Sequence, residues 1–172
     1  MKINHPFLEA RFIDRPNRFL TRVEYNGTIV ESHLPDPGRL KELLKPGARI
    51  LIKKEIGAHR KTRFSTQAVY DGNILISLNT LLPNQFTGYL LNEKRIDFLS
   101  DWDIYKKEPV YGNHRFDFLL KRGTKSLFLE VKSVTLVENA IAKFPDAVTD
   151  RGRRHVELLG SMAEEGISTM VL

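Results

Sequence analysis

Through the first half of the chain, apolar and polar residues alternate in short runs separated by turn-forming residues, the period-two pattern of half-buried strands. Such runs cover 8–13, 19–25 and 28–34, with Asn26-Gly27 between the last two as a two-residue hairpin turn. Pro35-Asp36-Pro37-Gly38 stops the third strand, and a short helix is expected over 39–44, closed by Pro46-Gly47. Strands at 48–53, 64–70 and 73–78 follow, the last two flanking Asp71-Gly72. Several short strands with one small helix between them predict a small β-barrel.

After residue 78 the pattern changes. Asn79-Thr80 can cap a helix that begins near Pro83 and runs to about Arg95 with Leu90 and Leu91 on its buried side, which divides the chain into 1–80 and 81–172. From Tyr105 to Lys132 alternation returns as three short antiparallel strands, joined by Gly112-Asn113 and Gly123-Thr124. Counting outward from these turns sets Tyr111 opposite His114, Pro109 opposite Phe116, Glu108 opposite Asp117, and Asp117 opposite Glu130. Lys132 shares the face of Glu130, while Leu127, Leu129 and Val131 point the other way with Phe116, Phe118 and Leu120. Periodicity fades over 137–144, which reads as a loop. A helix from Pro145-Asp146 to about Glu165 is stopped by Gly166, and 167–172 reads as the beginning of a further strand.

The predicted register aligns Glu108, Asp117 and Glu130 in one row across three strands. Side chains directly opposed on neighbouring strands lie about 5 Å apart, and like charges there repel. A divalent cation offsets that repulsion, since hard ions such as Mg²⁺ take one or two carboxylates and complete their shell with water and phosphate. Lys132 beside such an ion can orient a nucleophilic water or balance phosphate charge. Charged residues alternating with apolar ones also describe any half-exposed strand, and a one-residue slip sends Asp117 to the other face.

Charge adds a second theme. The net charge of +6 is uneven: residues 1–66 carry 14 Lys and Arg against 7 Asp and Glu, and the remainder carries 13 against 14. A surplus concentrated in the barrel favours polyanions through counterion release. Arg11, Arg15, Arg18, Arg22, Arg39 and Lys53-Lys54 are the candidate phosphate contacts, with Arg60, Lys61 and Arg63 as a second cluster. Tyr25 and Phe64 can stack on bases, whereas Phe12 and Phe19 are expected in the barrel core and His33 reads as a turn residue. Arg151, Arg154 and His155 share one face of the last helix, where Arg can fork onto phosphate oxygens. There is no cysteine, which excludes disulfides and Cys-ligated zinc or iron–sulfur sites. With no signal-like or membrane-length apolar run, a cytoplasmic protein without membrane contact is expected.

Longer motifs carry a resemblance. Residues 115–120 (RFDFLL), 129–136 (LEVKSVTL), 144–152 (FPDAVTDRG) and 33–40 (HLPDPGRL) closely resemble the sugar fermentation stimulation protein A family along essentially the whole chain. The resemblance implies an OB-like barrel followed by an α/β (α+β) restriction-endonuclease-like domain, a mixed sheet with flanking helices. It also implies kinship with the PD-(D/E)XK nucleases, with Asp117, Glu130 and Lys132 on the positions that bind metal and cleave phosphodiesters. The third acidic ligand is Glu108 on the cross-strand register, or Glu93 if the preceding helix supplies it. Arg151 and His155 match the family's Arg-Gly-x-x-His pattern. The family continues with further strand and helix, so a chain incomplete at its C-terminus is expected. The implied activity is nucleic-acid hydrolysis with Mg²⁺ or Mn²⁺, on DNA first and RNA as the alternative. A non-catalytic DNA-binding regulator of sugar metabolism is the other class of function that the family name keeps open.

Overall fold

Six strands form the first sheet: β1 Leu8–Asn17, β2 Leu20–Tyr25, β3 Thr28–His33, β4 Arg49–Lys54, β5 Phe64–Asp71 and β6 Ile74–Ser77. They belong to a computed structural model that describes residues 1–57, 59–143 and 150–172, the side chains of 136, 138, 150 and 151 excepted. Packing divides the chain into two units, Lys2–Thr80 and Leu81–Leu172.

In the first unit the strand order is β3-β2-β1-β4-β5-β6, and a parallel pairing of β3 with β5 closes five strands into a barrel with β6 outside it. Asn26 and Gly27 both take positive φ (51° and 71°), as the predicted tight hairpin between β2 and β3 requires. The interior holds Phe12, Val23, Leu34, Ile50, Ile52 and Val69. A short polar thread runs beside them, where the Thr66 hydroxyl meets those of Thr21 (2.8 Å) and Ser32 (2.9 Å). All three are fully buried, and their mutual bonds remove the penalty of burying hydroxyls.

Two barrel expectations need correction. Residues 41–43 form only a turn, with Leu43 and Leu44 both bonding the Leu40 carbonyl (3.1 and 2.8 Å) and Leu40 itself at φ 50°. Six residues before Pro46 are too few to nucleate a helix, and the apolar contacts of Leu40, Leu43 and Leu44 with the core hold the turn instead. Phe12 is core as expected, but Phe19 is 50% exposed, because it falls in the turn between β1 and β2 rather than on an inward position.

The second unit comprises α1 Leu82–Asn92, β7 Asp103–Lys107, β8 Val110–Tyr111, β9 His114–Arg115, β10 Phe118–Arg122, β11 Lys125–Glu130, β12 Leu136–Glu138, β13 Ile141–Lys143, α2 Asp150–Glu164 and β14 Ser168–Val171. The sheet order is β14-β11-β10-β7, with β14 parallel to β11 and the others antiparallel. Phe118, Leu120, Leu127 and Leu129 pack with Leu91 and Leu99 on one side. Phe116 and Phe128 pack with Leu159 and Met162 of α2 on the other.

Helix α1 starts without a side-chain cap; Asn79 instead donates to the Gln67 amide oxygen at 3.1 Å. Its end is a Schellman turn: Arg95 N–H bonds the Leu90 carbonyl (2.9 Å), Lys94 N–H bonds the Leu91 carbonyl (3.2 Å), and Lys94 sits at φ 55°. The stretch 137–144, read as a loop from sequence, contains the β12–β13 hairpin, turned by Asn139 and Ala140 at φ 51° and 61°. The predicted start of the last helix lies in 144–149, outside the described residues.

Candidate active site

The hairpin of β7 to β10 keeps the register read from its turns. Tyr111 pairs with His114 and Val110 with Arg115, Phe116 N–H bonds the Pro109 carbonyl (2.9 Å), and Glu108 N–H bonds the Asp117 carbonyl (3.0 Å). On the other side Phe118 pairs with Leu129, which carries Asp117 opposite Glu130. The expected facing fails at one place. Phe116 packs toward α2 rather than with Phe118, because regular strand stops at Arg115 and resumes at Phe118, leaving Phe116 and Asp117 outside the strict alternation.

That interruption leaves the Asp117 carboxylate half-buried at the sheet edge. One oxygen accepts from Val131 N–H (2.7 Å), the other from the side-chain amide of Asn84 in the first turn of α1. Burial pushes its pKa above the ordinary carboxylate value and the Glu130 charge pushes the same way, against the Val131 and Asn84 hydrogen bonds and the Lys132 ammonium. Burial and the Glu130 charge thus disfavour its ionised form more than its hydrogen bonds and the Lys132 ammonium favour it.

Glu130 is the deeper carboxylate, 5% exposed at the end of β11. Its Oε1 binds the Lys132 ammonium and, at 2.9 Å, Nδ1 of His155 on α2. Its Oε2 is buried with no hydrogen-bond partner. His155, 9% exposed, lies on the buried stripe of α2 with Leu159 and Met162, and its ring stands edge-on to His114 at 5.6 Å. Lys132 Nζ is 3.5 Å from His155 Nδ1, so lysine, histidine and glutamate form one buried knot. Its backbone is pinned to the last strand, Lys132 N–H bonding the Leu172 carbonyl (2.8 Å) and Leu172 N–H the Glu130 carbonyl (2.9 Å).

Asp117, Glu130, Lys132 and His155 therefore converge. Glu108 does not join them: at φ 49° it leaves the strand path, and its exposed carboxylate lies 3.8 Å from Arg115. Glu93 is exposed just past the end of α1. The side chain of Arg151 lies outside the described residues, although its backbone sits one turn before His155. Arg154 is exposed while its neighbour His155 is buried, so they do not share a face. Among the described residues no three His, Asp or Glu groups are already clustered as a metal would need. The donor set still fits a hard cation, because Glu130 Oε2 is a buried charged acceptor with nothing to accept from. The roles of Asn84 and His114 are not legible in the sequence: Asn84 and Asp117 lie 33 positions apart, and no local pattern signals the contact.

The barrel residues chosen from sequence divide by their partners. Arg22 grips Asp14 through two of its guanidinium nitrogens, Nε to Oδ1 at 2.7 Å and Nη2 to Oδ2, and Lys53 lies 3.6 Å from Glu55. Arg15 donates to the carbonyls of Arg18 (2.6 Å), Asp36 (3.1 Å), Gly38 (2.6 Å) and Arg39 (3.0 Å), which makes it an anchor between two loops. Arg11 reaches the Gly47 carbonyl at 3.3 Å and stays exposed, as do Arg18 and Arg39.

An OB-like barrel followed by a mixed sheet with flanking helices, of the restriction-endonuclease-like kind, defines the class of protein. Family models agree: the SfsA N-terminal OB domain matches residues 13–78 and the sugar fermentation stimulation protein RE domain matches 81–172. The chain belongs to the sugar fermentation stimulation protein family. A sugar fermentation stimulation protein homolog of Clostridium botulinum strain Hall is 39% identical over 173 residues, covering all of this chain and 75% of its own length. One from Chloroflexus aurantiacus is 44% identical over 163 residues, covering 94% of this chain and 62% of its own. The solved structure of Pyrococcus furiosus SfsA in complex with Ca²⁺ superposes with a TM-score of 0.89 at 28% identity, over 99% of this chain and 73% of that one.

Proposed function

We propose that the chain is a metal-dependent nuclease whose second unit hydrolyses phosphodiester bonds and whose barrel holds nucleic acid, DNA first and RNA as the alternative. The observation that carries this reading is the unpartnered, buried Oε2 of Glu130 beside the half-buried carboxylate of Asp117. A buried acceptor left unsatisfied costs about 1–3 kcal/mol, more when charged. A cation held by both carboxylates relieves that penalty together with their mutual repulsion.

Oxygen donors of this kind suit Mg²⁺ or Mn²⁺. The Ca²⁺ in the Pyrococcus furiosus relative supports a hard divalent ion at home in this fold. When bound, the ion supplies Lewis-acid polarisation of the phosphoryl oxygen and acidifies water. The rest falls to the chain's own residues. Val131 N–H and Asn84 aim Asp117, and His155 fixes one oxygen of Glu130 so that the other stays available. Lys132, already at the carboxylates, orients the attacking water and balances charge building on the phosphate. Arg151, one turn ahead of His155, is assigned to a phosphate oxygen.

One feature favours a second reading. Oε1 of Glu130 is already saturated by Lys132 and His155, and such a closed knot also suits a scaffold that binds DNA as a regulator without cutting it. Cleavage of labelled single- and double-stranded DNA and RNA, in Mg²⁺, Mn²⁺ or chelator, separates the two. Metal-dependent cutting that disappears in Lys132→Ala is the expected result. Tight binding with no cutting in any metal selects the regulator.

A further inference from the structure

We propose that the barrel carries a stacking site for one unpaired base of a single-stranded nucleic acid, in the groove between Phe19 and residues 60–62. It deepens the nucleic-acid reading above and rests on it.

Phe19 departs from the rule that a small barrel hides its aromatics, and the departure is built rather than loose. Its N–H bonds Oδ1 of Asn17 (2.9 Å), its carbonyl accepts from Leu34 N–H (2.9 Å), and Arg15 holds the neighbouring Arg18 carbonyl. The backbone is thus fixed on both sides of a half-exposed ring. A ring presented this way loses little freedom when something stacks on it.

The groove beside the ring measures about 540 Å³, the scale of a small-ligand site. Asn17, Phe19, Glu31, His33, Arg60 and Lys61 line it. Arg60 is steadied 3.6 Å from Glu55, and among the described residues Lys61 has no carboxylate partner. One aromatic face with cations at its edge is how single-strand sites work: the ring takes the face of a base and the cations follow the backbone. Paired bases keep their faces covered, so a duplex cannot use Phe19.

Glu31 sharpens the specificity. An ionised carboxylate only accepts hydrogen bonds, so it favours bases that offer an exocyclic amino group (cytosine, adenine, guanine) over thymine or uracil, whose one ring donor, N3–H, lies between two carbonyl oxygens that repel the carboxylate.

The test is fluorescence anisotropy of the full chain in chelator, with labelled single strands of about twelve nucleotides of dC, dA or dT and with a duplex of the same length. The expected order is dC and dA above dT, with the duplex weakest. Phe19→Ala should weaken single-strand binding by roughly tenfold or more while Phe19→Tyr retains it. Glu31→Gln should narrow the gap between dC and dT. Circular dichroism and melting of each variant should match the parent, since Phe19 and Glu31 face solvent. Unchanged binding by Phe19→Ala, or a duplex bound as tightly as the single strand, overturns the proposal. Because binding is read without metal, that failure leaves cleavage untouched, whereas missing cleavage with intact stacking overturns only the nuclease reading.

Discussion

At the scale of single residues, Asp117 is where stability and function pull apart. Burial and the Glu130 charge raise its pKa above 3.8, so the fold favours the protonated form. The stability this contributes is complete below the unfolded pKa and is lost as pH rises through the folded one. Asp117→Asn removes that loss. The variant should melt higher than the parent at about pH 7, the gap should close toward about pH 4, and cleavage should vanish. A variant that melts lower at every pH contradicts this account of the site. His155 acts on the neighbouring carboxylate, that of Glu130. His155→Ala frees Glu130 to rotate, and divalent-cation affinity measured calorimetrically should fall by about 10- to 100-fold with circular dichroism unchanged.

Secondary-structure elements show why some of the chain was legible in advance. Asn26-Gly27 and Gly112-Asn113 announce their turns because glycine or asparagine accepts positive φ, and the registers they set hold in the structure. The β12–β13 hairpin is not legible in the sequence because Ala140 stands where glycine would signal the same turn. Ala140→Gly should therefore stabilise the protein by about 1 kcal/mol, seen as slower hydrogen exchange across 136–143. The turn at 40–44 and the reversal of Phe116 have a common cause: packing of apolar side chains into a core overrode the local pattern. The knot of Glu130, Lys132 and His155 was visible only in part, since Glu130 and Lys132 share a strand face while His155 arrives from a helix 25 residues on. Arg15 shows the limit from the other side. Its charge reads as a phosphate contact in sequence, yet four carbonyls from two loops claim it, and Arg15→Ala should lower stability in urea denaturation by about 1–3 kcal/mol.

Across the whole molecule, charge is the property that unites sequence and proposed function. The surplus of basic residues in 1–66 survives in the structure only in part, because Asp14 neutralises Arg22 and Glu55 lies against Lys53. Arg60 and Lys61 line the Phe19 groove, Arg60 also lying 3.6 Å from Glu55, and Arg18 precedes the ring in the chain, which makes about three phosphate contacts. Single-strand binding should therefore weaken with salt along a log–log slope of about −2, and a slope near zero would remove phosphate from the interaction. No described helix is long and apolar enough to cross a membrane. The central claim is that Asp117 and Glu130 together hold a divalent cation for phosphodiester hydrolysis. Isothermal titration of the full chain with Mn²⁺ tests it most directly: one saturable site is predicted, lost in both Asp117→Asn and Glu130→Gln while each variant stays folded. A parent protein that binds no cation, or variants that bind it as tightly as the parent, would contradict the claim.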